Sequence, residues 1–399
     1  MPTHEPKSVE RLIVHQFDAA RPSPGGIDTC IRGICKYYPG AGTLAVIGVD
    51  TGIRSRGHDL GSWEEHKIGE RTVWFLPVAR LDPANQNRIV PHSLRLVAGV
   101  IRNIRKIPRS RTVQVHRMDV AVAIKIILRP KLLAYFVHTQ QNGLTGGNSD
   151  SLWRYGQRMH SALERHLIKT SSDVVVFNPE HADHASKLNP NAKFSPTWFD
   201  PDILQSGEHQ RKDLSIIWVG RMEVPKDPQL ALTAFARLIE LDPKRGWTLR
   251  MIGGGTLENE LRAYVAELPN SVTERVEIIG RMTPSDLSAA MATSHVFLMT
   301  SHAGYEGFPR VLVEAMASGL SAVVTHGSDT GGLVKSGVTG FTTSRDPEEI
   351  SRRIIDATRI DPTYPRAEVS KFSALEVIGQ IVRAEERNPM VSNTNNMEQ

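Results

Sequence analysis

Two cysteines in 399 residues rule out a disulfide scaffold, and Cys30 and Cys35, five positions apart, have no second Cys or His cluster at metal-ligand spacing. No metal site and no cofactor is therefore expected. The chain has no run of about 18 uncharged apolar residues, which excludes a spanning helix on length alone. Its first residues, MPTHEPKSVERL, lack the basic-then-apolar order of a secretion signal, so a cytoplasmic location is expected. No GxGxxG fingerprint and no repeat of solenoid length occurs. What remains is a chain with 40% hydrophobic residues, enough for two or three domains with sizeable cores.

Acidic residues are scarce in one half only. Residues 1–200 hold 27 Lys/Arg against 17 Asp/Glu, a balance of +10, while the rest hold 21 against 26, a balance of −5. The excess sits in residues 95–131, where ten basic residues meet one acid, Asp119. Within it LRLVAGVIRNIRKIPRSR alternates apolar and basic positions at roughly helical spacing, as a helix lying on an anionic membrane surface would. A solvated basic face is the other reading. The segment has no aromatic residue to stack a base, so nucleic acid is not an expected partner.

Strand-like and helix-like stretches alternate throughout, the pattern of parallel α/β layers. In the first half the strand candidates are 11–17, 43–49, 72–78, 112–116, 132–139 and 174–178; in the second they are 214–220, 247–253, 275–280, 295–300 and 321–326. Between them a stretch rich in Pro, Asn, Ser and charge reads as a linker near 200–212. The expected division is 1–205, 206–370, a helix within 371–387 and a disordered tail at 388–399. Open parallel sheets bind ligands at the carboxyl ends of their strands, so the chemistry should lie on the loops that follow them.

Taken in order, those loops present a consistent set of candidates. After strand 11–17, Gly25 and Gly26 precede a helix, where backbone N–H groups can approach a phosphate; a plain strand-to-helix turn would look the same. His116 and His138 each end a strand, as catalytic or as structural histidines. Arg221 and Lys226 share one loop, where a planar guanidinium and a compact ammonium suit a diphosphate. Gly253, in GGGT, permits a close backbone approach or merely a tight turn.

The last loop leads into EGFPRVLVEAMASG, residues 306–319. Pro309 suits the first position of a helix and Gly319 its stop, which places Glu306 in the loop and Glu314 in the helix. Glu306 beside a helix start can accept sugar hydroxyls, and Glu314 can grip a vicinal diol such as a ribose. A glycosidase pair is a competing reading of two carboxylates, but it leaves Arg221 and Lys226 unused.

Together these residues resemble retaining glycosyltransferases of family 4, whose mark is two glutamates separated by seven residues, here Glu306-GFPRVLV-Glu314, followed by GSDTGGLVKSGVTGF. The resemblance implies the GT-B fold, α/β with two Rossmann-like domains facing across a cleft and a C-terminal helix crossing back to the first. It implies Arg221 and Lys226 on the donor diphosphate, Glu314 on its ribose, and Glu306 with the backbone of Gly307, Phe308 and Pro309 at the transferred sugar. His138 would stand near the reacting centre, Gly26 near the diphosphate, Arg281 and Met282 near the base, and His116 with Gly25 toward the acceptor. The implied activity is transfer of a hexosyl unit from a UDP- or GDP-sugar to a glycan or lipid-linked acceptor, in cell-envelope or exopolysaccharide synthesis. An epimerase or phosphorylase on the same plan, or a non-catalytic sugar-nucleotide-binding subunit, are the rivals.

Overall fold

A computed structural model of the chain describes residues 5–23, 26–52, 60–81, 91–138, 157–204 and 214–386. Gly25, the expected tail and most of the expected linker lie outside them. The chain builds two sheets in succession. The first takes β1 (Ser8–Val14), β2 (Leu44–Asp50), β3 (Glu64–Ile68), β4 (Arg71–Arg80), β5 (Arg109–Val115), β6 (Leu132–Val137), β7 (Asp173–Val176) and β8 (Ala192–Phe194) in the order β3-β4-β2-β1-β5-β6-β7-β8. Every pairing is parallel except β3 with β4. In the second, β9 (Ser215–Val219), β10 (Thr248–Ile252), β11 (Val276–Ile279), β12 (Val296–Met299), β13 (Ser321–Thr325) and β14 (Gly340–Thr343) run parallel in the order β11-β10-β9-β12-β13-β14.

Residues such as Leu12, Ile13 and Val14 are wholly buried because helices cover both faces of each sheet, which is why these strands read as unbroken apolar runs. Strand order reverses between β1 and β5 in one sheet and between β9 and β12 in the other. Crevices at such switch points are where doubly wound sheets hold ligands. The loops bearing Gly26 and His116 flank the first, and those bearing Arg221, Lys226 and Glu306 flank the second.

Helix Ala374–Glu386 belongs spatially to the first lobe. Its Ala374, Val377, Ile378, Ile381 and Val382 recur at the spacing of one helical face and pack with Ile31, Ile34 and Phe136. Each fully buried Ile or Val there contributes about 1.5–3 kcal/mol. The two crossings between lobes are joined: Phe199 N donates to Phe372 O at 3.1 Å and Ala374 N to Phe199 O at 2.9 Å. Lys36 on the first lobe's helix Gly26–Tyr37 ties Asp200 at 2.9 Å and Asp202 at 2.9 Å.

Two expectations are corrected. The basic stretch is not one helix: it is helix His92–Arg102, a 3-10 turn at Ile104–Lys106, and then β5, whose first residues are Arg109 to Arg111. Pro108 lacks the N–H a helix would need there, and it disfavours helical geometry at Ile107. Pro309 caps the helix Arg310–Ala317 rather than opening it. No helix among the described residues is long and apolar enough to cross a membrane.

Candidate functional site

Loop 301–309 is where the lobes touch. The Asn178 side chain of the first lobe donates to Gly307 O at 3.4 Å, and Thr197 Oγ1 donates to Phe308 O at 3.5 Å. A Cβ built on Gly307 would stand 3.4 Å from Phe177 O and 3.8 Å from His138 O. The ends of β6 and β7 thus lie directly against the loop that follows β12. Phe308 turns its ring inward between Phe194 and Phe372, with centroids 5.6 Å away on each side, so only its backbone is offered to a ligand.

On the second lobe the charged candidates converge. Lys226 Nζ donates to Glu306 Oε1 at 2.5 Å, and Ser301 Oγ reaches the same oxygen at 2.7 Å. Lys226 ends a single 3-10 turn, and Asp227 follows it at φ 44, left-handed and strained for a residue with a Cβ. The strain is held by two tasks: Asp227 Oδ1 caps helix Pro228–Leu241 by accepting from Leu230 N at 3.0 Å, while Oδ2 pairs with Arg345. Arg345 also donates to Thr300 O at 3.0 Å, which anchors the loop carrying Glu306. Arg221 is exposed and bonds the Tyr305 hydroxyl.

Glu314 lies where an eight-residue helix puts it, one turn inside Pro309. Arg310 Nε stands 3.3 Å from its Oε1. Its Oε2 and Arg310 Nη1 are buried without a hydrogen-bond partner among the described residues, and burial pushes the carboxyl above its ordinary value. An unsatisfied buried carboxylate oxygen is costly unless a ligand completes it, and a hydroxyl pair would.

Gly253 has a different reason to be glycine. Its φ is 141, and a Cβ there would meet Gly220 O at 1.9 Å, so the loops after β9 and β10 abut through it. The structure thus explains this glycine without a ligand. Arg281 is exposed and Met282 half-buried at the end of β11, on the same rim. Gly26 opens its helix with nothing within 4 Å of a built Cβ. Behind it Asp28 is bound to Arg32 at 2.9 Å, and Arg32 fixes the preceding loop through Asp18 O and Ala19 O at 3.2 Å to the latter.

The first lobe's wall is made of rings. His116 Nδ1 is 2.8 Å from His138 Nε2, and the rings stack at 5.0 Å. His138 also stacks on Phe177 at 4.6 Å. His15, which sequence reading did not single out, lies 5.5 Å from His116 at the end of β1. Burial holds His15 and His138 down to about 3 and His116 well below the usual range, so all three are neutral at neutral pH. Cys30, on helix Gly26–Tyr37, His116 and His138 present possible ligand atoms within 4.8 Å of one another. Burial drives the Cys30 thiol well above its ordinary value, so this corner gathers three neutral groups.

Sequence reading also missed Gln114, Arg11, Tyr305, Ser301, Asp227, Arg345 and Thr330, the last bonding Gly307 O. Their roles depend on strand register and on loops far apart in sequence. Only the period-2 placement of Gln114 beside His116 was available as a signal.

Two doubly wound lobes meeting at their carboxyl-end loops define the class: the fold is GT-B. Residues 213–359, most of the second lobe, match the family model "Glycosyl transferases group 1". A D-inositol 3-phosphate glycosyltransferase of Corynebacterium diphtheriae is 27% identical over 199 residues, 45% of this chain and 45% of its own. An N-acetylgalactosamine-N,N'-diacetylbacillosaminyl-diphospho-undecaprenol 4-alpha-N-acetylgalactosaminyltransferase of Campylobacter jejuni is 33% identical over 114 residues, 29% of this chain and 28% of its own. These matches span less than half the length of those curated relatives. Among solved structures, Anabaena Alr3699/HepE in complex with UDP-glucose superposes with a TM-score of 0.68 at 17% identity, covering 95% of this chain and 100% of that one.

Proposed function

We propose that this protein is a retaining glycosyltransferase that moves a hexosyl unit from a UDP- or GDP-sugar to a glycan or lipid-linked acceptor in envelope or exopolysaccharide synthesis. Residues 1–205 would take the acceptor and 206–370 the donor. One observation carries the reading: Lys226, paired with Glu306 and close to Arg221, sits at the second lobe's switch point, where the loop after β12 touches the end of β6. Bond breaking puts negative charge on the leaving diphosphate. Arg221 and Lys226 stabilise that charge most in the transition state, and such differential binding is what accelerates a reaction.

Glu306 would hold the sugar and keep Lys226 extended toward the phosphates. Glu314, with a free Oε2, would accept the ribose hydroxyls. His138 is neutral and stands beside Gly307, suited to a hydrogen bond with the transferred sugar. The leaving phosphate oxygen would take the acceptor's proton on the same face, which gives retention. The lipid-linked substrate in the name of the Campylobacter relative and the UDP-glucose in the Anabaena structure support this choice of donor and acceptor.

Thermal shift against UDP-, GDP- and ADP-sugars tests the donor, because a ligand bound only to the folded state raises its stability by mass action. Anomeric product analysis tests retention. No shift with any sugar nucleotide would end the reading. Product without a separate acceptor would favour an epimerase, phosphate dependence a phosphorylase, and binding without turnover a non-catalytic subunit.

The basic segment 95–131 supports a peripheral place on an anionic membrane face. Leu94, Ile101 and Ile104 are exposed among Arg95, Arg102, Arg105 and Lys106, the composition of an interfacial anchor. Charge removal at Arg102, Arg105 and Lys106 should reduce binding to anionic vesicles. If the unmodified protein ignores such vesicles, this placement is wrong.

A further inference from the structure

A chain of buried hydrogen bonds runs across three adjacent strands behind the site. Arg11 on β1, Gln114 on β5, His116 just past β5 and His138 just past β6 share one face of the first sheet, the face covered by helices Gly26–Tyr37 and Ala374–Glu386. Arg11 Nη1 donates to Gln114 Oε1 at 2.7 Å, Gln114 Nε2 lies 2.7 Å from His116 Nε2, and His116 Nδ1 lies 2.8 Å from His138 Nε2. Arg11, Gln114 and His116 are 1%, 0% and 4% exposed, so water cannot substitute for the links among them, and half-buried His138 ends the chain.

The direction of every link follows from its first member. A guanidinium only donates, so the Gln114 amide must turn its oxygen to Arg11 and its NH2 to His116. An amide NH2 also only donates, so His116 Nε2 is an acceptor and a neutral His116 carries its hydrogen on Nδ1. That N–H donates to His138 Nε2, which leaves the His138 hydrogen on Nδ1. A charge on β1 thereby fixes the tautomer of a ring two strands away.

We propose that Arg11, Gln114 and His116 are positioning residues that lock His138 in its Nδ1–H form, so that His138 meets an oxygen of the transferred sugar or its phosphate as a hydrogen-bond donor and not as a base. This rests on the transferase reading for the identity of the oxygen, while the tautomer itself rests on the geometry alone. Arg11, Gln114 and His116 then act only through His138, and His138 is denied the role of a base.

Long-range 1H–15N NMR of the full chain labelled at histidine, with His138 assigned by its absence in His138→Asn, reads the tautomer directly. At neutral pH the expected form is Nδ1–H for both rings. Gln114→Glu replaces a donor with an acceptor; it should reverse the chain, move both rings to Nε2–H, and lower kcat at least about tenfold, the value of roughly one hydrogen bond, with little change in donor KM. Arg11→Lys keeps a donor-only cation and should retain the wild-type tautomer and most of the activity.

An Nε2–H, mixed or metal-bound His138 in the wild type would overturn the proposal, as would a reversed tautomer in Gln114→Glu with undiminished kcat. Should Gln114→Glu fail to fold, the wild-type spectrum and Arg11→Lys still decide. If no sugar nucleotide is turned over, the transferase reading falls, and the spectrum rules on the lock independently.

Discussion

On the first lobe's side of the site the polar groups are neutral rings; on the second lobe's side they are charges in pairs. His15, His116 and His138 stay neutral because burial disfavours their charged forms. Lys226 with Glu306, Arg345 with Asp227 and Arg310 with Glu314 bring charge to the same seam by neutralising it locally. One α/β plan thus yields a wall of neutral rings and a wall of paired charges, the second proposed for a diphosphate. The difference lies in which residues follow the strands: histidines directly after β1, β5 and β6, and charged residues on the loops and helix after β9, β12 and β14.

The comparison can be broken most forcefully through the backbone of the second lobe. Gly253→Ala should cost about 3 kcal/mol, from positive-φ strain and the clash with Gly220 O, and lower that lobe's melting transition with the first lobe's little changed. Equal loss in both lobes would mean they melt as one unit. Next, Lys226→Ala and Arg221→Ala should each lower kcat/KM at least about tenfold, or 1.4 kcal/mol, with Lys226 the greater because its loss also removes the cation bonded to Glu306 Oε1. Near-normal turnover in both would remove the diphosphate from this wall.

Glu314→Ala should raise donor KM about tenfold with a smaller change in kcat, as loss of one charged hydrogen bond would. Steady-state kinetics with varied donor checks it. The smallest effect sharpens the neutral wall. The unfolded chain protonates His15 near its ordinary value of 6.5 and the folded one only near 3, so acidification favours unfolding across that window. From pH 6 to 5 the wild type should lose about 1 kcal/mol more stability than His15→Asn, measured by urea unfolding at each pH. Parallel profiles would mean His15 is charged when folded.

Much of this was legible in sequence, for definite reasons. Strands buried on both faces are apolar runs, so the parallel strands stood out, and Pro309 and Gly319 bracketed the helix that separates Glu306 from Glu314. The strands that were missed had no such signature. β3 is a charged antiparallel edge, EEHKI; β8, AKF, is three residues long; and β14, GFTT, has a single large apolar residue. The helical reading of 94–111 failed at Pro108, where alternating charge and apolarity continue into a strand. Residues such as Arg11, Gln114 and Arg345 act through strand register or loop contacts more than 40 positions away, and no local pattern encodes that.

The stitch between Phe199 and residues 372–374 also bears on how the molecule could be divided. The final helix supplies Val377, Ile378 and Ile381 to the first lobe, so a fragment ending near 205 would present Ile31 and Ile34 uncovered. The pieces of this protein are therefore not two beads on a string. The first half should need the peptide 374–386 added in trans to become well folded, whereas residues 214–370 already contain the whole of their own sheet.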